Sequence, residues 1–218
     1  MEKAIIFDMD GVLINSEPLW KIAEIEGFAK VGLDVTAKSL EESVGLRIDE
    51  VVKIWHNKYQ WTNKTVDEVT DDIVNILIRE IKHQGKSLPG VINLLEELKS
   101  KGFKIGLATS SYQRIVDVVL DKLEIRTFFD VTHSAEFEKY GKPHPAVFMT
   151  TAHKLNVKCT NCLVFEDSLN GVISAKAARM KVIAVPEKTH TYNAKISLAD
   201  KVINSLTDFN VETVEEFF

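Results

Sequence analysis

The sequence predicts a doubly wound, mostly parallel α/β sheet that carries an inserted α-helical domain. In residues 1–14 and 88–218, short apolar runs alternate with stretches of helical periodicity, a pattern typical of parallel βαβ units. Residues 15–87 have helical periodicity and no convincing strand. We therefore expect an α/β core made of residues 1–14 and 88–218, and a helical domain made of residues 15–87.

The first elements follow from apolar periodicity and from the residues that interrupt it. Residues 3–7 form a short apolar strand that stops at an acidic turn. The first helix of the insert ends at Gly32, and the second starts near Arg47. A third helix begins at Thr65, which has capping-box spacing to Glu68.

The first insert helix has an apolar stripe, and its charged residues are expected to lie largely off that stripe. The expected stripe consists of Leu19, Ile22, Ala23, Ile25 and Ala29, and the charged residues off it are Lys21, Glu24 and Glu26.

Beyond residue 88 the predicted strands and helices alternate. The expected strands are 103–108, 128–132, 163–165, 182–185 and an edge strand at 201–203, and the expected helices are 91–98, 115–123, 146–155, 172–178 and a short docking helix within 209–218.

Composition excludes several classes of protein. The chain has 218 residues, of which 45% are hydrophobic and 27% charged, and its net charge is −5. A chain of this length can bury a core, and its mild acidity argues against a nucleic acid or a membrane surface as partner. Its two cysteines cannot form a disulfide framework. We expect a soluble, cytoplasmic monomer.

Two carboxylates stand directly after the first buried strand. Asp8 and Asp10 are separated by one residue and followed by Gly11. Paired carboxylates at the end of a buried strand are unfavourable unless a cation compensates them, and Mg²⁺ prefers oxygen ligands of this kind. A solvated acidic turn explains the pair equally well when it is considered alone.

Three more polar segments follow later in the chain. Thr109 and Ser110 end a strand and could bind an anion or cap a helix. Lys142 lies in a loop between glycine and proline and could hold a positive charge in place. Glu166 and Asp167 end another strand, where they could bind a cation or favour a helix N-terminus. Each segment has an ordinary structural explanation when taken alone.

Taken together, the four segments predict a single site. Three of them stand at carboxyl ends of predicted strands, and in an open, Rossmann-like α/β sheet ligands bind at that edge. Carboxylates, hydroxyl groups, a lysine and a divalent cation are the components of phosphoryl transfer.

The order Asp8-x-Asp10-Gly11, Thr109, Lys142-Pro143 and Glu166-Asp167 resembles the four motifs of the haloacid dehalogenase-like hydrolase superfamily. The resemblance covers essentially the whole chain. The helical insert is similar to the cap of the β-phosphoglucomutase-like subgroup. Segments 16–20 and 45–49 resemble those of bacterial phosphatases that act on 2-deoxyglucose 6-phosphate and hexitol phosphates.

This resemblance implies a Mg²⁺-dependent phosphatase of small sugar phosphates. Asp8 would be the nucleophile that forms an aspartyl-phosphate, and Asp10 would protonate the leaving alcohol and then activate water. Thr109 and Ser110 would bind the phosphoryl group, and Lys142 would shield its charge.

The same resemblance implies the metal ligands. Mg²⁺ would be held by Asp8, Asp167 and the backbone carbonyl of Asp10. Glu166 would assist from the inner or the outer coordination shell of the metal.

A sugar-phosphate mutase is the nearest alternative. Mutases of the resembled subgroup have a histidine where this chain has Trp20, and a lysine where it has Val44, so both positions disfavour this alternative. Within the cap, Arg47 is the candidate for contact with polar groups of the substrate, although a solvated arginine is equally compatible with the sequence. Trp20 could face a sugar ring or pack the cap.

A receiver-like phospho-accepting signalling module is the alternative from another class. Such a module also combines an acidic pocket, a hydroxyl group and a lysine with Mg²⁺. It would be shorter, however, and would have neither a cap nor the Asp8/Asp10 pair.

Overall fold

A computed structural model describes residues 2–43, 45–186 and 194–218, with the side chains of 41–43, 194 and 195 left undescribed. Its strands are β1 (Ala4–Phe7), β2 (Lys104–Thr109), β3 (Val131–Ser134), β4 (Cys162–Glu166), β5 (Lys181–Ala184) and β6 (Lys201–Val202). Its α-helices are α1 (Glu17–Ala29), α2 (Ile48–Tyr59), α3 (Val66–Gln84), α4 (Val91–Ser100), α5 (Gln113–Lys122), α6 (Ala146–Lys154) and α7 (Leu169–Ala177).

The strands form one parallel sheet in the order β3-β2-β1-β4-β5-β6. In the central strand β1, Ile5 and Phe7 pack into the apolar cluster on one face, and Ala4 and Ile6 into the cluster on the other. Helices α4 and α5 cover the first face, and α6 and α7 cover the second. Burial of both faces explains why the strands are almost continuously apolar, and the predicted α/β fold class is confirmed.

The insert contains α1, α2 and α3, and no strand occurs among its described residues. Helix α3 begins with the predicted capping box, in which Thr65 Oγ1 accepts from the Glu68 N–H and the Glu68 carboxylate accepts from the Thr65 N–H. Helices α1 and α3 pack closely at Gly27, where a Cβ would lie 2.2 Å from Cγ1 of Ile73. The domain division at residues 14/15 and 87/88 stays a prediction.

The buried face of α1 differs from the expected stripe. Ala29 and Ile25 are exposed, whereas Glu24 is buried. The buried face contains Ala23 and Gly27, with Gly27 closely packed on Ile73 of α3, and it also contains Glu24.

Strand β3 and helix α7 each begin three residues away from the predicted start. Strand β3 begins at Val131 instead of 128, because Asp130 pairs with the backbone of Ile105 through both its N–H and its carboxylate. Helix α7 begins at Leu169 instead of 172, because Ser168 caps it by accepting the Gly171 N–H. The C-terminal segment forms a 3₁₀ helix, Val211–Phe217. No helix in the described residues is long and apolar enough to span a bilayer.

Candidate active site

Three carboxylates meet where β1 and β4 end. These strands are parallel neighbours with Phe7 opposite Phe165, so Asp8 follows one strand beside Glu166 and Asp167 of the other. One oxygen from each carboxylate lies within 4.8 Å of the others. Asp8 and Glu166 are buried, and Asp167 is half-buried.

The electrostatics of this cluster fit a hard divalent cation. Burial and the neighbouring Glu166 carboxylate raise the pKa of Asp8 to about 7, against the lowering effect of Lys142. The same two causes, burial first, raise the pKa of Asp167 well above its ordinary range. Glu166 Oε1 accepts from Ser168 Oγ at 2.7 Å, but the buried Oε2 has no hydrogen-bond partner in the described structure. A buried carboxylate oxygen that accepts no hydrogen bond, among carboxylates that repel one another, is the kind of ligand that Mg²⁺ would satisfy.

Two glycines leave room for this cluster. Gly11 has a φ of +72°, and a Cβ there would lie 2.1 Å from Oδ2 of Asp167. A Cβ on Gly171 would lie 1.7 Å from Oε1 of Glu166. Any larger residue at either position would therefore displace a carboxylate of the candidate metal site.

Lys142 brings a buried positive charge to the same cluster. Its Nζ lies 2.8 Å from Oδ1 of Asp8 and 3.5 Å from Oε2 of Glu166, and it also donates to the carbonyl of Ala108. The aliphatic stem is enclosed, leaving the side chain 2% exposed. Burial alone would lower the pKa of Lys142, but the carboxylates of Asp8 and Glu166 raise it above the ordinary value, so the lysine stays charged.

The carboxylate of Asp10 is held by three donors instead of facing the other carboxylates. Ser16 Oγ and the indole Nε1 of Trp20 donate to Oδ1 at 2.5 and 2.9 Å, and Ser111 Oγ donates to Oδ2 at 2.6 Å. Ser16 and Trp20 belong to the insert, whereas Asp10 and Ser111 belong to the predicted core. Asp10 therefore lies at the junction between the two parts of the chain.

The hydroxyl segment after β2 lies beside these carboxylates. Thr109 is buried, and its Oγ1 accepts from the Ser111 N–H at 3.1 Å. Ser110 donates to the carbonyl of Gly45 in the insert at 3.0 Å. Asp8, Asp10, Thr109, Ser110 and Lys142 all line a cavity enclosed by the strand ends and the insert.

The insert contributes the opposite wall of this cavity. The wall contains charged and aromatic side chains of α1 and apolar side chains from the following segments. Trp20 is one of these lining residues, with its indole N–H on Asp10. Val44, the second position compared with mutases, lies outside the described residues.

Arg47 is not among the residues that line the cavity, and its contact with substrate stays a prediction. Its Nη1 donates to the backbone carbonyls of Ala135 and Glu138 at 3.0 and 2.8 Å, and its Nε donates to Asp49 at 2.9 Å. The guanidinium therefore joins the start of α2 to the segment after β3. Local periodicity does not predict these carbonyl acceptors, because they lie about ninety residues further along the chain.

Ser16, Ser111 and Glu24 are not among the site residues that the sequence predicts. Ser111 follows Thr109 by two residues in the Thr-Ser-Ser segment, and Ser16 directly precedes α1 like an N-cap. The structure shows no capping bond from the Ser16 side chain, which donates to Asp10 instead. A signal for Glu24 did exist, because Glu17, Lys21 and Glu24 have the i, i+4, i+7 spacing of one helical face.

Comparison with known proteins identifies the family. A sequence profile described as haloacid dehalogenase-like hydrolase matches residues 5–185. The chain belongs to the haloacid dehalogenase-like hydrolase family. The family predicted from the four motifs is thus confirmed, as is the prediction that the chain is an enzyme.

Individual known proteins resemble the chain over most of its length. Hexitol phosphatase B of Escherichia coli K12 is 39% identical over 210 residues, covering 96% of this chain and 95% of that protein. The phosphorylated carbohydrates phosphatase of Thermotoga maritima is 35% identical over 188 residues, covering 83% of each. The structure is also similar to β-phosphoglucomutase from Clostridium difficile, with a TM-score of 0.86, 28% identity and coverage of 100% of this chain and 97% of that one.

Proposed function

We propose that the protein is a Mg²⁺-dependent phosphatase of hexose, deoxyhexose or hexitol phosphates that acts through a phosphorylated Asp8. The observation that carries the proposal is the position of the Asp8 carboxylate. It lines the cavity beside Glu166 and Asp167, and its Oδ1 lies 2.8 Å from Nζ of Lys142. The phosphatases of carbohydrate phosphates among its relatives support the substrate class.

The donors around Asp8 suit an attack on phosphorus. Lys142 holds Oδ1 of Asp8 and offers positive charge to the oxygens of the transferring group. Thr109 and Ser110 supply hydroxyl groups at the same end of the cavity. Asp8, Glu166, Asp167 and the carbonyl of Asp10 would hold Mg²⁺, which supplies charge neutralisation that lets a carboxylate approach an anionic phosphate.

Asp10 would act as the acid and then as the base. In the first step an Asp8 oxygen bonds to phosphorus, the bond from phosphorus to the sugar oxygen breaks, and Asp10 gives a proton to that oxygen. In the second step Asp10 takes a proton from water, the water oxygen bonds to phosphorus, and Asp8 is released. The hydroxyl groups of Ser16 and Ser111 and the indole of Trp20 keep its carboxylate oriented between these steps.

A β-phosphoglucomutase-type reaction is the second candidate, because a solved β-phosphoglucomutase shares the fold. A mutase must hold a second phosphate in the cap. On the insert side of the cavity, the described lining has one cation, Lys21, whose Nζ lies 2.7 Å from Glu17. This pairing favours hydrolysis over mutase activity. A receiver-like module is disfavoured by the match to a hydrolase family.

The test is phosphate release by the purified full chain from phosphorylated hexoses, deoxyhexoses and hexitols, with Mg²⁺ or with a chelator. We expect release that requires Mg²⁺ and is lost in Asp8→Asn. Conversion between glucose phosphate isomers is followed in parallel. Isomer conversion without net phosphate release would establish the mutase instead, and release that survives both chelation and Asp8→Asn would exclude the proposed mechanism.

A further inference from the structure

One face of α1 lines the cavity opposite the catalytic carboxylates. Its cavity-lining residues, Glu17, Trp20, Lys21 and Glu24, follow one another at i, i+3, i+4 and i+7. Trp20 reaches Asp10, and Glu24 lies one helical turn further along the same face. Glu24 therefore borders the cavity one helical turn away from the residue that contacts Asp10.

Glu24 is a buried carboxyl group with no assigned role in the proposed chemistry. Its residue is 9% exposed, and its carboxyl group has no hydrogen bond or ion pair with any residue that the structure describes. Burial, and then the negative charge of Glu17, raise its pKa to about 8, against the lowering effect of Lys21. In its neutral form a carboxyl group can donate one hydrogen bond and accept others, which is what an alcohol hydroxyl requires of a partner.

The charges around Glu24 disfavour an anion. Lys21 is held 2.7 Å from Glu17, so this pair offers no net positive charge. The neighbouring lining from the rest of the insert is apolar, with Leu40, Ile48 and Val51. A second phosphate placed here would lose its hydration and meet carboxyl groups, whereas a chain of neutral hydroxyl groups would not.

We infer that Glu24 is a specificity-determining residue whose carboxyl group hydrogen-bonds hydroxyl groups at the uncharged, phosphate-free end of the substrate. The inference rests on the proposed function and narrows it to phosphomonoesters with a neutral polyhydroxylated tail. It assigns the apolar wall of Leu40, Ile48 and Val51 to the carbon chain of that tail, and it disfavours bisphosphates as substrates.

The test compares a hexitol phosphate with p-nitrophenyl phosphate, which has no hydroxyl tail, using the full chain with Mg²⁺. The measured ratio is kcat/KM for the hexitol phosphate divided by kcat/KM for p-nitrophenyl phosphate. For Glu24→Leu we expect this ratio to fall about tenfold, because a hydroxyl group of the hexitol loses its partner in a desolvated pocket. Glu24→Gln, which can still donate and accept, should keep most of that ratio. The matched control is Glu26→Leu, an exposed change on the same helix that should leave the ratio unchanged.

A further variant places a positive charge at position 24. Glu24→Lys should raise kcat/KM for a hexose bisphosphate relative to the hexitol phosphate by about tenfold, since a phosphate would gain a cation in a desolvated pocket. An unchanged hexitol-to-nitrophenyl ratio in Glu24→Leu, or an equal loss with both substrates, would overturn the inference alone. A wild-type protein that hydrolyses neither substrate would overturn the proposed function and the inference with it.

Discussion

The indole Nε1 of Trp20 in the insert donates a hydrogen bond to Oδ1 of Asp10 in the core over 2.9 Å. This contact connects the position of the insert to the group proposed as acid and base. Ser16 reaches the same oxygen from the segment that leads into α1. The orientation of the Asp10 carboxylate is therefore coupled to the packing of the insert over the site.

Trp20→Phe removes this hydrogen bond and keeps most of the aromatic volume. We expect kcat/KM for a hexitol phosphate to fall about tenfold, because Asp10 keeps only Ser16 and Ser111 to orient it. Steady-state kinetics with Mg²⁺ measure the effect. Trp55→Phe is the control, since Trp55 packs on Phe28 and Tyr59 away from the cavity. Equal activity of the two variants would contradict a role for the indole N–H.

Gly171→Ala tests the position of Glu166. Alanine normally stabilises a helix relative to glycine by about 0.5–1 kcal/mol, but here its Cβ would lie 1.7 Å from Oε1 of Glu166. We expect the Glu166 carboxylate to move and the affinity for Mg²⁺ to fall by roughly 10- to 100-fold. Activity titrated with Mg²⁺ measures this shift. Ile173→Ala, on the exposed side of α7, controls for damage to the helix, and an unaltered Mg²⁺ dependence in Gly171→Ala would exclude Glu166 from the metal site.

Glu24 should also make stability depend on pH. Its pKa rises from an ordinary 4.5 to about 8 in the folded chain, so between these values the unfolded chain releases a proton that the folded chain retains. The contribution of Glu24 to the free energy of unfolding is therefore fully present below pH 4.5 and is lost progressively as the pH rises toward 8. The groups facing Glu24 are Glu17 and Lys21 on α1 and, across the cavity, Asp8, Asp10, Lys142, Glu166 and Asp167.

Comparison with Glu24→Gln isolates this effect, because the other groups titrate in both proteins. From about pH 5 to about pH 8 we expect the wild type to lose more unfolding free energy than the variant, by at most about 4 kcal/mol. Urea unfolding at several pH values measures the difference. Parallel stability curves for the two proteins would show that Glu24 ionises normally in the folded state.

The sequence was sufficient to predict the strand-end half of the site. Asp8, Thr109 and Glu166 stand at the ends of apolar runs, and parallel pairing of those runs brings their carboxyl ends to one edge of the sheet. Their placement depends only on strand ends and parallel order, both of which leave strong local signals. The placement of Lys142 was predicted only through the motif order, because a loop lysine has no such periodic signal.

The insert half of the site depends on packing between elements, which is only weakly visible in the local sequence pattern. Glu24 is buried beside the cavity, although a charged residue next to an apolar stripe is ordinarily assigned to solvent. Arg47 turns away from the cavity because two backbone carbonyls after β3 accept its N–H groups. Contacts of this kind form between elements far apart in the chain, so local periodicity could not predict them.

The most direct test of the proposed mechanism is to trap the phosphoryl group on Asp8. Asp10→Asn can neither protonate a leaving alcohol nor activate water, so the phosphoryl donor must be p-nitrophenyl phosphate, whose leaving group needs no proton. Incubation of this variant with that donor and Mg²⁺ should leave one phosphoryl group per chain. Rapid acid quenching and peptide mass spectrometry would locate it. We expect the added mass on the peptide that contains Asp8, and its absence in Asp8→Asn/Asp10→Asn. Turnover by Asp10→Asn at the wild-type rate, or a phosphoryl group on any other residue, would contradict the proposed mechanism.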